Sequence, residues 1–269
     1  MDELHEKKNA LERSLREMGS AAVAFSAGVD STFLLKVAHE VLGERAVAVT
    51  VDSRLSPREE MEEARRFCEK EGVELLVVPF EPLDIEGFRQ NPANRCYICK
   101  RAIFTAIRAR AAERGLARVV EGSNTDDDSD YRPGMAALAE KGIASPLREA
   151  GLGKAEIRLL SREMGLATWD KPSYACLATR FVHGETVSAE KLAMVERAER
   201  EVRALGPRQV RVRVHGKLAR IELPPEELPA LIRHAEYLDG ALRALGFDYV
   251  TLDLGGYRMG SMNRTPDRT

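Results

Sequence analysis

Four cysteines in 269 residues are too few for a disulfide scaffold, so Cys68, Cys96, Cys99 and Cys176 pose a question of reactive thiols or metal ligands. Apolar runs of roughly 18 residues, the length a membrane helix needs, are missing, and no membrane partner is expected. The opening stretch MDELHEKKNALERSLREMG carries charge throughout and lacks the apolar segment of a secretion signal, which leads us to expect a cytoplasmic protein. Neither sign of charge is in excess. With 41 Lys plus Arg against 43 Asp plus Glu, the formal net charge is −2, so no global positive field gathers a polynucleotide and no nucleic acid is expected as partner. Apolar residues are not scarce, however: 44% hydrophobic and 31% charged is the composition of a chain able to bury a full core.

The length exceeds the usual domain size of about 100 to 200 residues, so two units are expected. Short β-branched runs, AAVAF at 21–25, AVAVTV at 46–51, ELLVVP at 74–79 and ARVVEG at 117–122, suit strands buried on both faces. Between the first two, Leu34, Val37, Ala38, Val41 and Leu42 form a helical stripe ending near Gly43. After the second, Ser56 and Glu59 read as a capping box with Pro57 at the first helical position. Further helices are expected from about Ile98 to Gly115 and Lys154 to Gly165. This β-α alternation predicts an α/β fold, a doubly wound parallel sheet whose ligand crevice lies beyond the carboxyl ends of the strands. An aperiodic segment follows, LATWDKPSYACLATRFVHGE. From Thr186 the pattern becomes helix, strand, strand, helix, strand, which places a boundary near residue 185 and gives units 1–185 and 186–269, the second a smaller α+β module. The tail from about Gly255 is expected to be poorly ordered.

Ser26, Gly28, Asp30 and Ser31 stand where AAVAF turns into the helix DSTFLLKVAHEVLG. Small residues allow close backbone approach, and free N–H groups at a helix start hold an anion. Neither GxxxxGK followed by Ser or Thr nor GxGxxG occurs, which weighs against the kinase-like P-loop and the dinucleotide fold. The string SAGVDS resembles the SGGxDS loop of the PP-loop superfamily, with Ala27 in place of its first glycine. The resemblance implies that ATP is bound, pyrophosphate released and AMP left on a carboxylate or carbonyl oxygen, with Asp30 and Ser31 at the phosphates. It also implies an adenosine site on backbone groups near Val51, Asp52 and Ser53, although ordinary strand-end capping explains TVDSRLSP nearly as well. In EGSNTDDDSDYRPG, Gly122, Asp126, Asp130 and Arg132 are candidates for nucleotide and Mg2+, since that ion takes carboxylates together with nucleotide phosphates. A plain solvated turn is the alternative there.

NRCYICK places Cys96 and Cys99 as a CxxC pair at or just before a helix start, where thiolates are favoured. No second CxxC or closely spaced His pair completes a zinc site, and the context is not thioredoxin-like. Cys176 alone reads most simply as a small buried hydrophobe, and Cys68 as structural. Three thiols together could serve an iron-sulfur cluster with one open iron.

SAGVDST, NRCYICK, GSNTDD with DYRPG, PLREAGLGKAEIRLLSREMGL, KPSYACLATRF and VRVRVHGKLARIE resemble the LarE family over roughly residues 15 to 254. That family comprises ATP-dependent sulfur transferases of nickel-pincer cofactor synthesis, which adenylate a pyridinium dicarboxylate mononucleotide and then displace AMP with sulfur. One version sacrifices a cysteine at the position of Cys176; the other holds a four-iron four-sulfur cluster on three cysteines. The sequence resembles the second, which implies Cys96, Cys99 and Cys176 as ligands and a sulfide or other sulfur donor as partner. It also implies a homo-oligomer of unfixed number.

In VRVRVH, period two sends Val210, Val212 and Val214 to one face and Arg211, Arg213 and His215 to the other. With Arg180, such a row reads as an anion surface for the phosphate and second carboxylate of the substrate, or as a solvated strand face. A tRNA-thiolating PP-loop enzyme, an ammonia-using PP-loop synthetase and a non-catalytic nucleotide-binding module are the alternatives. Balanced charge disfavours the first, and the absence of a glutaminase unit the second.

Overall fold

A computed structural model of the chain describes residues 3–116, 118–129, 134–172 and 175–258. They form two compact units, Met1–Ile85 with Asn94–Tyr174, and Glu86–Ala93 with Ala175–Thr269. The division at 174/175 falls earlier than the change of periodicity near residue 185. Residues 175–185 lack a repeating pattern, so their membership in the second unit is set by tertiary contacts that periodicity does not register.

In the first unit the order is α1 (Glu3–Met18), β1 (Ala21–Ala24), α2 (Val29–Leu42), β2 (Ala46–Asp52), α3 (Arg58–Glu71), β3 (Leu75–Pro79), α4 (Arg95–Glu113), β4 (Val119–Val120), α5 (Gly134–Glu140), α6 (Pro146–Glu149) and α7 (Lys154–Glu163). The strands pair in parallel in the order β3-β2-β1-β4, with Ala21 opposite Ala46 and Ala22 opposite Val119. Alternation along β1 and β2 feeds two cores. Ala21, Val23, Ala46 and Ala48 pack against residues of α1, α2, α3 and α7, whereas Ala22, Val47 and Val49 pack against Phe104, Ile107 and Ala111 of α4 and Leu138 of α5. Both faces are covered, as an all-parallel sheet requires.

Two local expectations change. Pro57 flanks α3 at its N-cap, with no side chain capping the helix, because Ser56 is held in a turn by its N–H to the Ser53 carbonyl at 3.2 Å. Helix α4 begins at Arg95, three residues before Ile98, so both cysteines of the CxxC pair lie inside its first turns.

The second unit contains α8 (Ala189–Arg203), β5 (Arg211–His215), β6 (Leu218–Glu222), α9 (Leu228–Ile232), α10 (Ala235–Ala244) and β7 (Tyr249–Leu252). Its sheet runs β5-β6-β7, antiparallel then parallel. Gly255–Arg258, the start of the tail expected to be loose, folds back: Tyr257 donates its N–H to Leu223 at 2.7 Å. The remainder of that tail lies outside the described residues. Among the described residues no helix is long and apolar enough to cross a membrane.

Candidate active site

β1, the second strand from the β4 edge, ends at Ala24, and residues 25–28 carry the chain to α2 beyond the carboxyl edge of the sheet. Phe25 still donates its N–H to Val49, and the Thr50 hydroxyl donates to the Phe25 carbonyl, so the loop starts from a fixed point. Ser31 then staples the loop to its helix. Its Oγ accepts from the Ser26 N–H at 3.3 Å, lies 3.1 Å from the Ser26 hydroxyl and donates to the Gly28 carbonyl at 3.3 Å. Ala27, the departure from the glycine pattern, takes the left-handed conformation with φ 54°. Among the described residues only Asn91 shares that backbone region without being glycine.

Asp30, in the first turn of α2, accepts from Lys154 Nζ at 2.5 Å through Oδ2, while Oδ1 is buried with no hydrogen-bond partner. Burial raises its proton affinity; the charge of Lys154 opposes that and the charge of Asp127 adds to it. Lys154 is itself anchored, because its backbone N–H donates to Asp126 Oδ2 at 2.9 Å at the start of α7. Asp126 thus sits among these charges as a support for α7. At Gly122 a Cβ would lie 3.0 Å from the Ser31 nitrogen, a tight contact that glycine avoids, so the chain just past β4 closely approaches the start of α2.

Lys171 reaches the same loop from the aperiodic segment. Its Nζ donates to the Ala27 carbonyl at 2.9 Å and pairs with Glu63 of α3. Arg158 fixes this segment by donating to the Trp169 and Lys171 carbonyls at 2.6 and 2.8 Å. Sequence reasoning passed over Lys154, Lys171 and Arg158. The available signals were Gly-Leu-Gly-Lys opening a helix at 151–154 and a lysine before Pro172.

Val51 and Asp52 end the neighbouring strand β2, and Ser53 follows it. The Asp52 carbonyl accepts from Phe80 N–H, and Ser53 Oγ from Leu55 N–H at 3.2 Å, which is strand-end capping at the same sheet edge. Asp130 and Arg132 lie outside the described residues.

Cys96 and Cys99 are three residues apart on α4, hence on one helical face, with Cys99 buried. In the second unit Cys176 precedes a short 3-10 turn, Leu177–Arg180, and its carbonyl accepts from Thr179 N–H at 3.0 Å. Among the described residues no group of three or more His, Cys, Asp or Glu is gathered to hold a metal ion.

The arginines depart most from expectation. Arg180 is wholly buried: Nε and Nη2 donate to the two oxygens of Glu199 at 2.7 and 3.0 Å, and Nη1 to the Ala175 carbonyl at 2.7 Å and Thr179 Oγ1 at 2.9 Å. It therefore braces the segment around Cys176. Its guanidinium is discouraged by burial but favoured more by Glu199, so its pKa is raised. Arg211 and Arg213 are 2% and 6% exposed, so β5 is buried on both faces and presents no solvated row. Arg213 donates to Glu222 at 2.8 Å and to the Thr179 carbonyl at 3.0 Å. Arg211 lies over the Tyr257 ring at 5.3 Å, and burial, aided by the charge of Arg180, lowers its pKa to about 10. Among the described residues, the buried side chains of the second unit thus include three guanidinium groups, Arg180, Arg211 and Arg213, and two carboxylates, Glu199 and Glu222.

A family model described as NAD synthase matches residues 3–112. An uncharacterized protein of Synechocystis sp. is 42% identical over 263 residues, covering 97% of this chain and 98% of the relative. The pyridinium-3,5-bisthiocarboxylic acid mononucleotide synthase of Lactiplantibacillus plantarum is 37% identical over 266 residues, covering 98% and 96%. At greater distance, one subunit of the glutamine-hydrolyzing GMP synthase of Thermoplasma acidophilum is 28% identical over 211 residues, covering 72% and 66%.

Proposed function

Since the chain belongs to the LarE family, that of the pyridinium-3,5-bisthiocarboxylic acid mononucleotide synthase, we propose that it is an ATP-dependent sulfur transferase. It adenylates a carboxylate of pyridinium-3,5-biscarboxylic acid mononucleotide, and sulfur then replaces AMP to leave a thiocarboxylate. The observation that carries this is Asp30: a carboxylate at the first turn of α2, beside a Ser-stapled loop, with one oxygen on Lys154 and the other buried without a partner. Such an arrangement awaits a cation and an anion together, as a metal-nucleotide complex supplies.

A carboxylate oxygen is a poor leaving group and AMP a good one, so adenylation divides one difficult substitution into two easier steps. In the first, a substrate carboxylate oxygen bonds to the α-phosphorus while the bond to the bridging oxygen breaks and pyrophosphate departs. In the second, sulfur attacks the acyl carbon and AMP departs. Residues 26–31 receive the phosphates and the backbone at Val51–Ser53 the adenosine. The unpartnered oxygen of Asp30 fits Mg2+, with Asp126 and, from the sequence, Asp130 as further carboxylates; that ion would supply charge neutralisation at the phosphates. In the second unit, Arg211 and Arg213 receive the anionic groups of the mononucleotide, a role that suits guanidinium because it matches phosphate and carboxylate bidentately. Exposed Ile232, Tyr237, Tyr249 and Leu254 in the same unit suit contact between copies in a homo-oligomer, and sedimentation velocity reports the number.

For the sulfur source we propose the three-cysteine version, with Cys96, Cys99 and Cys176 as ligands of a four-iron four-sulfur cluster. The number of thiols and the shared face of Cys96 and Cys99 support it, while the described residues hold no pre-gathered metal-ligand group. Intact-protein mass spectrometry after turnover checks it: Cys176 unchanged with iron-dependent repeated turnover is expected, and loss of about 34 Da at the Cys176 peptide means a sacrificed thiol instead.

The activity itself is tested by supplying ATP, Mg2+, the mononucleotide and sulfide anaerobically and following pyrophosphate, AMP and the thiocarboxylate. ATP binding with no pyrophosphate release would identify a nucleotide-binding module, and product with ammonia but not sulfide a synthetase.

A further inference from the structure

The turn after β7 is built to a tight tolerance, although nothing in the functional reading above uses it. Asp253 extends the strand pairing by donating its N–H to the Ile221 carbonyl at 2.9 Å. Its Oδ1 accepts from the Gly255 N–H at 2.8 Å, and its carbonyl from the Gly256 N–H at 3.0 Å. Gly256 has φ 65°, and a Cβ there would stand 2.8 Å from both the Leu223 carbonyl oxygen and Pro225 Cγ, so only glycine fits. The next residue is thereby pinned. Tyr257 donates its N–H to the Leu223 carbonyl at 2.7 Å, and its half-buried ring lies with its centroid 5.3 Å from the guanidinium carbon of Arg211.

Arg180 and Arg213 are oriented by committing their donors. Arg180 places Nε and Nη2 on Glu199 and Nη1 on the Ala175 carbonyl; Arg213 places Nε and Nη2 on Glu222 and Nη1 on the Thr179 carbonyl. Tyr257 orients Arg211 by another route, through the face of the guanidinium. The N–H donors of that group lie in its plane, so a ring on the face occupies none of them. A planar fork held from its face keeps its geometry for a bidentate anion.

We propose that Tyr257 is a positioning residue for the substrate site, holding the Arg211 guanidinium against its ring so that the fork meets an anionic group of the mononucleotide in one orientation. The turn at Gly255 and Gly256 keeps the ring in place. The inference rests on the reading that Arg211 receives such a group.

The test measures binding of pyridinium-3,5-biscarboxylic acid mononucleotide and, separately, of ATP with Mg2+ by calorimetry on the whole chain, with melting temperature alongside. Losing a cation–π contact predicts mononucleotide binding weaker by about three- to thirtyfold in Tyr257→Leu, with ATP binding unchanged. Tyr257→Phe, which keeps the ring, retains near wild-type affinity. Gly256→Ala, which shifts the turn and leaves the ring intact, weakens the mononucleotide in the same way. Because Tyr257 acts through Arg211, adding Tyr257→Leu to Arg211→Met lowers the affinity little further. No loss in Tyr257→Leu, an equal loss in Tyr257→Phe, equal losses for ATP and the mononucleotide, or losses that add in the double variant overturn the proposal and leave Tyr257 as packing. Arg211→Met that binds the mononucleotide as tightly as wild type overturns the parent placement, and the proposal with it, before Tyr257 is touched.

Discussion

Ala27 carries a cost that its family's glycine would not. The left-handed region costs a residue with a Cβ about 1 to 2 kcal/mol, while burying one methyl returns roughly 0.8 kcal/mol, and Ala27 is 2% exposed. The first effect is larger, so Ala27→Gly is expected to raise stability by up to about 1 kcal/mol in urea denaturation; a loss of stability would mean that methyl packing governs the site. The ion pair of Arg180 with Glu199 is the opposite case, fully buried and favourable only as a pair. Glu199→Ala leaves a guanidinium uncompensated and should cost about 3 to 5 kcal/mol, whereas a surface pair such as Arg243 with Asp239 should cost under about 1 kcal/mol.

Cys68 behaves as the sequence suggests, a structural thiol on α3. Burial pushes its pKa up to about 12, so it stays protonated where a free thiol, at about 8.5, ionises. The folded state holds this proton longer than the unfolded chain does, so the contribution of Cys68 to stability is intact below about pH 8.5 and lost as pH rises toward 12. Alkylation of native protein at pH 8 should leave Cys68 unlabelled until denaturant is added; rapid labelling would contradict its burial.

At the scale of elements, the sheet was legible because strands covered on both faces are written as continuous β-branched runs: β1 and β3 fall within AAVAF and ELLVVP, and β2 runs one residue past AVAVTV. The phosphate loop was legible too, being six consecutive residues. What surrounds it was not. Lys154 and Lys171 meet their partners across 124 and 144 residues, a separation over which no local pattern reports. Strand β5 misled for a related reason: alternation of Val and Arg normally marks one wet face, but Arg213 pairs with Glu222 of β6 and Arg211 packs on the Tyr257 ring, and both arginines are buried. The start of α7 offers a check on this level of organisation. Asp126→Ala removes the acceptor of the Lys154 N–H and should cost about 1 kcal/mol, as loss of an N-cap does, with weaker ATP binding and little change in the second unit. Amide exchange that quickens throughout the chain would contradict so local an effect.

For the whole molecule, the second unit is discontinuous in sequence: residues 86–93 belong with 175–258 among the described residues. Asn91 fixes that strip. It is wholly buried with φ 52°, its Nδ2 donates to the Val182 carbonyl at 2.7 Å, and its own carbonyl accepts from Gly184 N–H at 2.9 Å, while the Arg89 carbonyl accepts from Val187 N–H at 2.8 Å. Asn91→Ala keeps the unfavourable backbone and strands a buried carbonyl, so a loss of about 1 to 3 kcal/mol is expected, with faster hydrogen exchange at Gly184 and Val187. Protection unchanged at those two amides would show that the strip is held by other means.

This discontinuity also has a consequence in time. On the ribosome, residues 86–93 emerge early, yet Phe181, to which Asn91 also donates, is 90 residues downstream. At about 5 to 20 residues per second, the strip waits on the order of 5 to 20 seconds before its partners have even been made. During that interval α4, β4 and α7 of the first unit are synthesised around a segment that must not join them. Its content suits the wait: Glu86, Arg89 and Gln90 keep it soluble, and Phe88 is the one large apolar side chain it must keep from premature burial.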